Sequence, residues 1–91
     1  MAAIVILRVT YTPVPETDIE YGQGAIERNE LVHYPLTGVT WLIQVPAPGD
    51  LEEWRQRLDA SVRGQRGTFA VQCPSAEEQA RVDRGEIPFQ Q

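Results

Sequence analysis

Val39-Thr40-Trp41-Leu42-Ile43-Gln44-Val45-Pro46-Ala47-Pro48-Gly49-Asp50-Leu51-Glu52-Glu53-Trp54 carries two periodicities in succession, and the switch between them decides the fold. Val39, Trp41, Ile43 and Val45 alternate with Thr40, Leu42 and Gln44, which gives an extended strand one strongly apolar face. Pro46 and Pro48 stop it, because proline lacks an N–H and restrains the residue before it. Asp50 then supplies an N-cap for Glu53, and Glu53 can reach back, the reciprocal start of a helix. Leu51, Trp54, Leu58 and Val62 fall on one face of that helix. Gly64 supplies its stop.

Working outward, Thr68 to Cys73 reads as a strand with Phe69, Val71 and Cys73 on one face. Strand, helix and strand in this order predict a right-handed parallel crossover. Leu31 to Tyr34 precedes the first strand and joins it through Pro35-Leu36-Thr37-Gly38, a hairpin turn. Residues 3–11 hold Ile4, Val5, Ile6, Leu7, Val9 and Tyr11, apolar on both faces, as in a buried strand. At the other end Ser75 and Glu78 form a second capping box, and Gly85 closes the helix they open, with Glu77 and Arg81 one turn apart. The expected fold is α+β: a small mixed sheet of about four strands, in the order β-β-β-α-β-α, with two helices on one face. Its core is expected at Trp41, Ile43, Trp54, Leu58, Phe69 and Val71, with strand 39–45 near the middle of the sheet.

One domain is expected, since 91 residues are too few for two cores. The apolar share of 42% and charged share of 23% are those of a folded globular chain. Cys73 is the sole cysteine, which excludes a disulfide within the chain, and with His33 as the single histidine a structural zinc site lacks ligands. A net charge of −5 argues against general nucleic-acid binding, which neutralises phosphates with cations. All eight basic residues are Arg, as a GC-rich coding sequence would give. No stretch approaches the ~20 apolar residues of a membrane span, and residues 1–8 do not read as a secretory signal. The expected location is cytoplasmic or virion-associated.

Residues 12–30 read as an irregular acidic loop. Glu16, Asp18, Glu20, Glu27 and Glu30 stand against Arg28 alone, a local charge of −4. At their centre Tyr21-Gly22-Gln23-Gly24 lacks the third glycine and the lysine of a phosphate loop, and reads as a flexible turn. Glu16, Asp18 and Glu20 alternate without the twelve-residue pattern of a calcium loop, and no apolar surround raises a carboxylate pKa for catalysis. Cys73 falls with Phe69 and Val71 and reads as a buried thiol, while His33 reads as a half-exposed sheet residue, so no Cys–His pair is expected. Catalytic, cofactor and metal sites are therefore expected to be absent.

What remains is contact chemistry. Arg55, Arg57, Arg63 and Arg66 form a basic cluster, +3 over residues 55–66 once Asp59 is counted. Cations near a helix C-terminus have a structural explanation in the helix dipole; a protein-facing patch is the functional one. The tail carries Ile87 and Phe89, which either fold back over the core or enter a partner. Glu16, Asp18, Glu20 and Tyr21, the four arginines, and Ile87 with Phe89 are thus the expected partner-binding residues. The expected function is a small non-catalytic structural or adaptor protein of a multi-subunit assembly, of the kind a bacteriophage or mobile element carries in its virion or as an accessory component. The alternative is an acidic inhibitor that blocks a basic site on a host protein, as an anti-defence protein or nucleic-acid mimic does. Protein partners or self-association are expected, with no cofactor, membrane or small-molecule substrate, and with nucleic acid disfavoured.

Overall fold

A computed structural model describes residues 3–14, 20–62 and 67–90. Seven elements follow one another: β1 (Ile4–Thr12), α1 (Glu20–Arg28), β2 (His33–Pro35), β3 (Thr40–Pro46), α2 (Leu51–Ser61), β4 (Thr68–Gln72) and α3 (Ala76–Asp83). The class is α+β. Four strands form one sheet in the order β2-β3-β1-β4, and every neighbouring pair is antiparallel.

The expected crossover between β3 and β4 therefore takes a different form. Both strands run antiparallel to β1, hence parallel to each other, but β1 lies between them. The sheet is antiparallel rather than mixed, because the apolar run of β1 takes the central slot that a direct β3–β4 pairing would have closed. Val9 faces Trp41 on one side and Val71 on the other. Two split β-α-β units interleave in this way, the β-α-β-β-α-β connectivity of ferredoxin-like sheets.

The second departure is α1, which lies where an irregular loop was expected. Gly22, Ala25 and Ile26 are buried on one side of it, at i, i+3 and i+4. Gly22 is the reason the helix fits. A Cβ there would stand 2.8 Å from Tyr11 Cγ and 2.9 Å from Trp41 Cη2, so the missing side chain lets the helix backbone rest on two aromatic rings. Tyr21-Gly22-Gln23-Gly24 is thus part of a helix and not a turn. Asn29 Nδ2 ties the end of α1 to α2 through Ser61 Oγ at 2.9 Å, and Arg28 donates to the Ser61 carbonyl.

At the α2 start Asp50 Oδ1 accepts from the Glu53 N–H at 2.8 Å, the forward half of the reciprocal cap that the sequence indicates. Gly64, its expected stop, lies outside the described residues. Trp54, Leu58 and Val62 are buried, whereas Leu51 stays 37% exposed. These side chains join Leu7, Val9, Tyr11, Trp41, Ile43, Val45, Phe69, Ala25 and Ile26 in one cluster between the sheet and α1 with α2. Val71 packs against it from the side, and β3 is an interior strand as expected.

The two helices expected on one face are separated instead. Arg8 alternates with Leu7 and Val9 and so points away from the main core; Glu78 of α3 lies 3.5 Å from its Nε. This places α3, with its Ser75–Glu78 capping box intact, over the opposite face of the sheet. Leu42, on that same outer face, is 0% exposed. After Gly85 the chain runs back to the edge of the sheet, where the N–H groups and carbonyls of His33 and Gln90 exchange bonds of 2.7 Å each. A β-β-β-α sequence pattern says nothing of which face a terminal helix takes, and apolar residues on both faces of β1 and β3 required a second cover.

Candidate interaction surface

The expected partner-binding residues are distributed over distant parts of the molecule. Glu16, Asp18, Arg63 and Arg66 lie outside the described residues. Glu20 opens α1 and is exposed, while Tyr21 is half-buried against the core. Arg55 and Arg57 have partners on their own helix. Arg55 pairs with Glu52 and, at 2.8 Å, with Asp59; Arg57 Nε lies 3.8 Å from Glu53 and its guanidinium covers the Trp54 ring at 4.7 Å. The Arg55 guanidinium, with help from Gln56, holds the Glu52 carboxyl at about 2, and Glu52 in turn raises the pKa of Arg55. Within α2 the charges are three carboxylates and two guanidiniums, interleaved. The tail folds back: Ile87 is 7% exposed and Phe89 is half-buried.

His33 is buried rather than half-exposed, and its surroundings fix its chemistry. The Trp41 indole can only donate, and it donates to Gln23 Oε1 at 2.8 Å. That commits the Gln23 amide nitrogen to His33 Nε2, 3.1 Å away. Nε2 must then accept, so the ring proton sits on Nδ1 and is donated to the Leu31 carbonyl at 2.9 Å. Both ring nitrogens are held within the fold by this chain of three bonds. A surface recess of about 450 Å³ opens beside the ring, lined by Glu27, Glu30, Leu31 and His33. Cys73 is exposed rather than buried, because pairing with β1 ends at Gln72. It follows β4 while His33 lies on β2, three strand spacings or roughly 14 Å away. Among the described residues no cluster of His, Cys, Asp or Glu could hold a metal. No helix of the described residues is long and apolar enough to cross a membrane.

The two edges of the sheet differ in kind. On β2, the tail occupies the outward groups of His33. On β4, the Phe69 N–H points away from β1, to Asp59 Oδ1 at 2.7 Å, while the N–H of Tyr11 opposite it turns to the Val39 carbonyl at 2.8 Å. Pairs in an antiparallel ladder alternate between bonded and unbonded. Val71, two residues on, therefore directs its N–H and C=O outward as well, and no described strand lies on that side. Among the described residues the edge also lacks the usual protections. From Gly67 to Ala76 there is no charged residue, and β4 contains no proline. Asp59 covers a single amide of it. Sequence reasoning missed this surface, although the ten uncharged residues in a chain with 23% charge were its visible sign.

No known protein family matches the chain, and no curated protein or solved structure is significantly similar to it.

Proposed function

We propose that this protein is a small non-catalytic structural or adaptor component of a multi-subunit assembly, joined to its neighbour through the outer edge of β4. The observation that carries the reading is that edge, whose outward Val71 amide and carbonyl belong to a strand without charge or proline and, among the described residues, without a neighbouring strand. Backbone groups in such a row are met most fully by another strand, which supplies donors and acceptors at the same spacing. Arg55 and Arg57, by contrast, already have carboxylate partners on their own helix, which favours the edge over these two members of the basic cluster as the site of contact.

Val71→Pro tests this. The Val71 N–H is not part of the β1–β4 ladder, so proline there removes an outward donor and leaves the internal pairing in place. In an extract of its natural source, the tagged wild-type protein is expected to elute well above its monomer mass of 10.2 kDa. Val71→Pro, with an unchanged circular dichroism spectrum, is expected at the monomer position. Equal incorporation of the variant would refute the edge as the site of assembly, and a wild-type chain that is monomeric in the extract would refute the assembly role.

A further inference from the structure

Resting on that reading of β4, we infer that the strand completing the edge is β4 of a second copy, paired antiparallel about a twofold axis at Val71. Charge is the first argument. Two chains of net charge −5 repel on average, but the two β4 strands meet through a ten-residue stretch that carries no charge of its own, and the carboxylates nearest it, on α2, are paired with Arg55 and Arg57. The one carboxylate at this edge, Asp59, is already bonded to the Phe69 N–H and to Arg55, so it offers a basic partner little.

Hydrogen bonding gives the second argument, and it also fixes the register. Asp59 occupies the Phe69 N–H, so a pairing that depends on that amide is disfavoured. Centring the pair on Val71 leaves Asp59 in place. Each Val71 N–H then donates to the Val71 carbonyl of the other copy, and the Phe69 carbonyls stay free to accept from beyond Gln72. The same patch meets itself, as a twofold contact requires, so the contact closes at two copies. Such an axis stands normal to the sheet and keeps the helical layers on one side. It sets α2 beside its counterpart and adds side-chain burial to a short ladder. The product is a continuous eight-stranded sheet in the order β2-β3-β1-β4-β4-β1-β3-β2.

This register places Ala70 of one copy opposite Gln72 of the other, and both are exposed. The test uses two double variants, Ala70→Glu with Gln72→Glu and Ala70→Lys with Gln72→Lys, measured by sedimentation equilibrium of the purified full chain. Wild type is expected to form a concentration-dependent dimer. Each double variant brings like charges face to face and should dissociate at least about tenfold more readily, while an equimolar mixture of the two should recover wild-type association. Dimerisation of either variant alone at wild-type strength, or no recovery on mixing, overturns the register. A purified wild-type chain that stays monomeric at all concentrations overturns the self-pairing. If Val71→Pro is still lost from the native assembly in that case, the β4 edge remains the docking site and its occupant is a strand of a different protein.

Discussion

Two glycines in α1, two residues apart, should respond oppositely to the same substitution. In a helix interior, alanine is favoured over glycine by about 0.8–1.0 kcal/mol. At Gly24 nothing opposes that gain, since the nearest atom to a new Cβ is Arg28 Nη2 at 3.7 Å, an ordinary contact. At Gly22 the Cβ would meet Tyr11 Cγ and Cδ2 at 2.8 Å and Trp41 Cη2 at 2.9 Å. Carbon atoms pack at about 3.5–4.0 Å, so rings or helix must move by roughly 0.7 Å or more. Neither ring can yield easily. Tyr11 and Trp41 are each 1% exposed, and the Trp41 indole is bonded to Gln23 on the same helix. Overpacking of this kind costs about 1–3 kcal/mol, which exceeds the propensity gain over most of its range. Gly22→Ala should therefore lose up to about 2 kcal/mol net, and Gly24→Ala should gain about 0.5–1 kcal/mol. At roughly 4–8 °C per kcal/mol for a domain of this size, a central difference of about 2 kcal/mol separates the two melting temperatures by about 8–16 °C. Urea unfolding followed by tryptophan fluorescence measures both. If Gly22→Ala is as stable as wild type or more so, the close approach of α1 to the sheet is not what this glycine provides.

Gln23→Leu leaves the Trp41 indole N–H without its acceptor and His33 Nε2 without its donor; a stability loss of about 1–3 kcal/mol is expected by thermal denaturation, and a loss under 0.5 kcal/mol would show that the three-bond chain contributes little. The Glu52 carboxyl, at about 2 in the fold against 4.5 ordinarily, should stabilise the fold above pH 4.5 and lose that effect progressively as pH falls towards 2. Glu52→Gln should accordingly melt lower than wild type at pH 6 and level with it at pH 2, and high salt should narrow the difference at pH 6; a gap that persists at pH 2 would assign the effect to packing instead.

The parts of the fold that could be read from residue order are those specified by close neighbours. The alternation of Val39 to Val45, the Asp50 and Ser75 caps and the apolar stripe of α2 each involve residues at most a few turns apart. Helix α1 was hidden because its buried face is made of small residues, Gly22 and Ala25, whose value lies in the aromatic rings they approach. Its glycines, read by propensity, argue for a loop. The insertion of β1 between β3 and β4 depends on pairing across about thirty to forty residues on one side and about sixty on the other, which no local pattern encodes. The same limit applies to the interaction surface. Charges can be counted along a chain, but whether Arg55 meets a partner or its own Glu52 depends on the helix surface, and whether a strand is an edge depends on the whole sheet.

The central position of β1 also shapes how the chain can acquire its fold during synthesis. β1 ends at residue 12, and the last of its two neighbours is complete at residue 72. At about 5–20 residues per second, translation leaves β1 without that neighbour for roughly 3–12 s. Throughout this interval Ile4, Val5, Ile6, Leu7 and Val9 form an apolar, β-branched run with one sheet edge unpaired, the composition that favours aggregation. The central strand can thus pair with β3 once residue 46 is made, but waits for residue 72 to complete its hydrogen bonds. The high proportion of distant pairings slows folding for the same reason, and a chaperone that shelters β1 until β4 has been made would raise the yield of native protein.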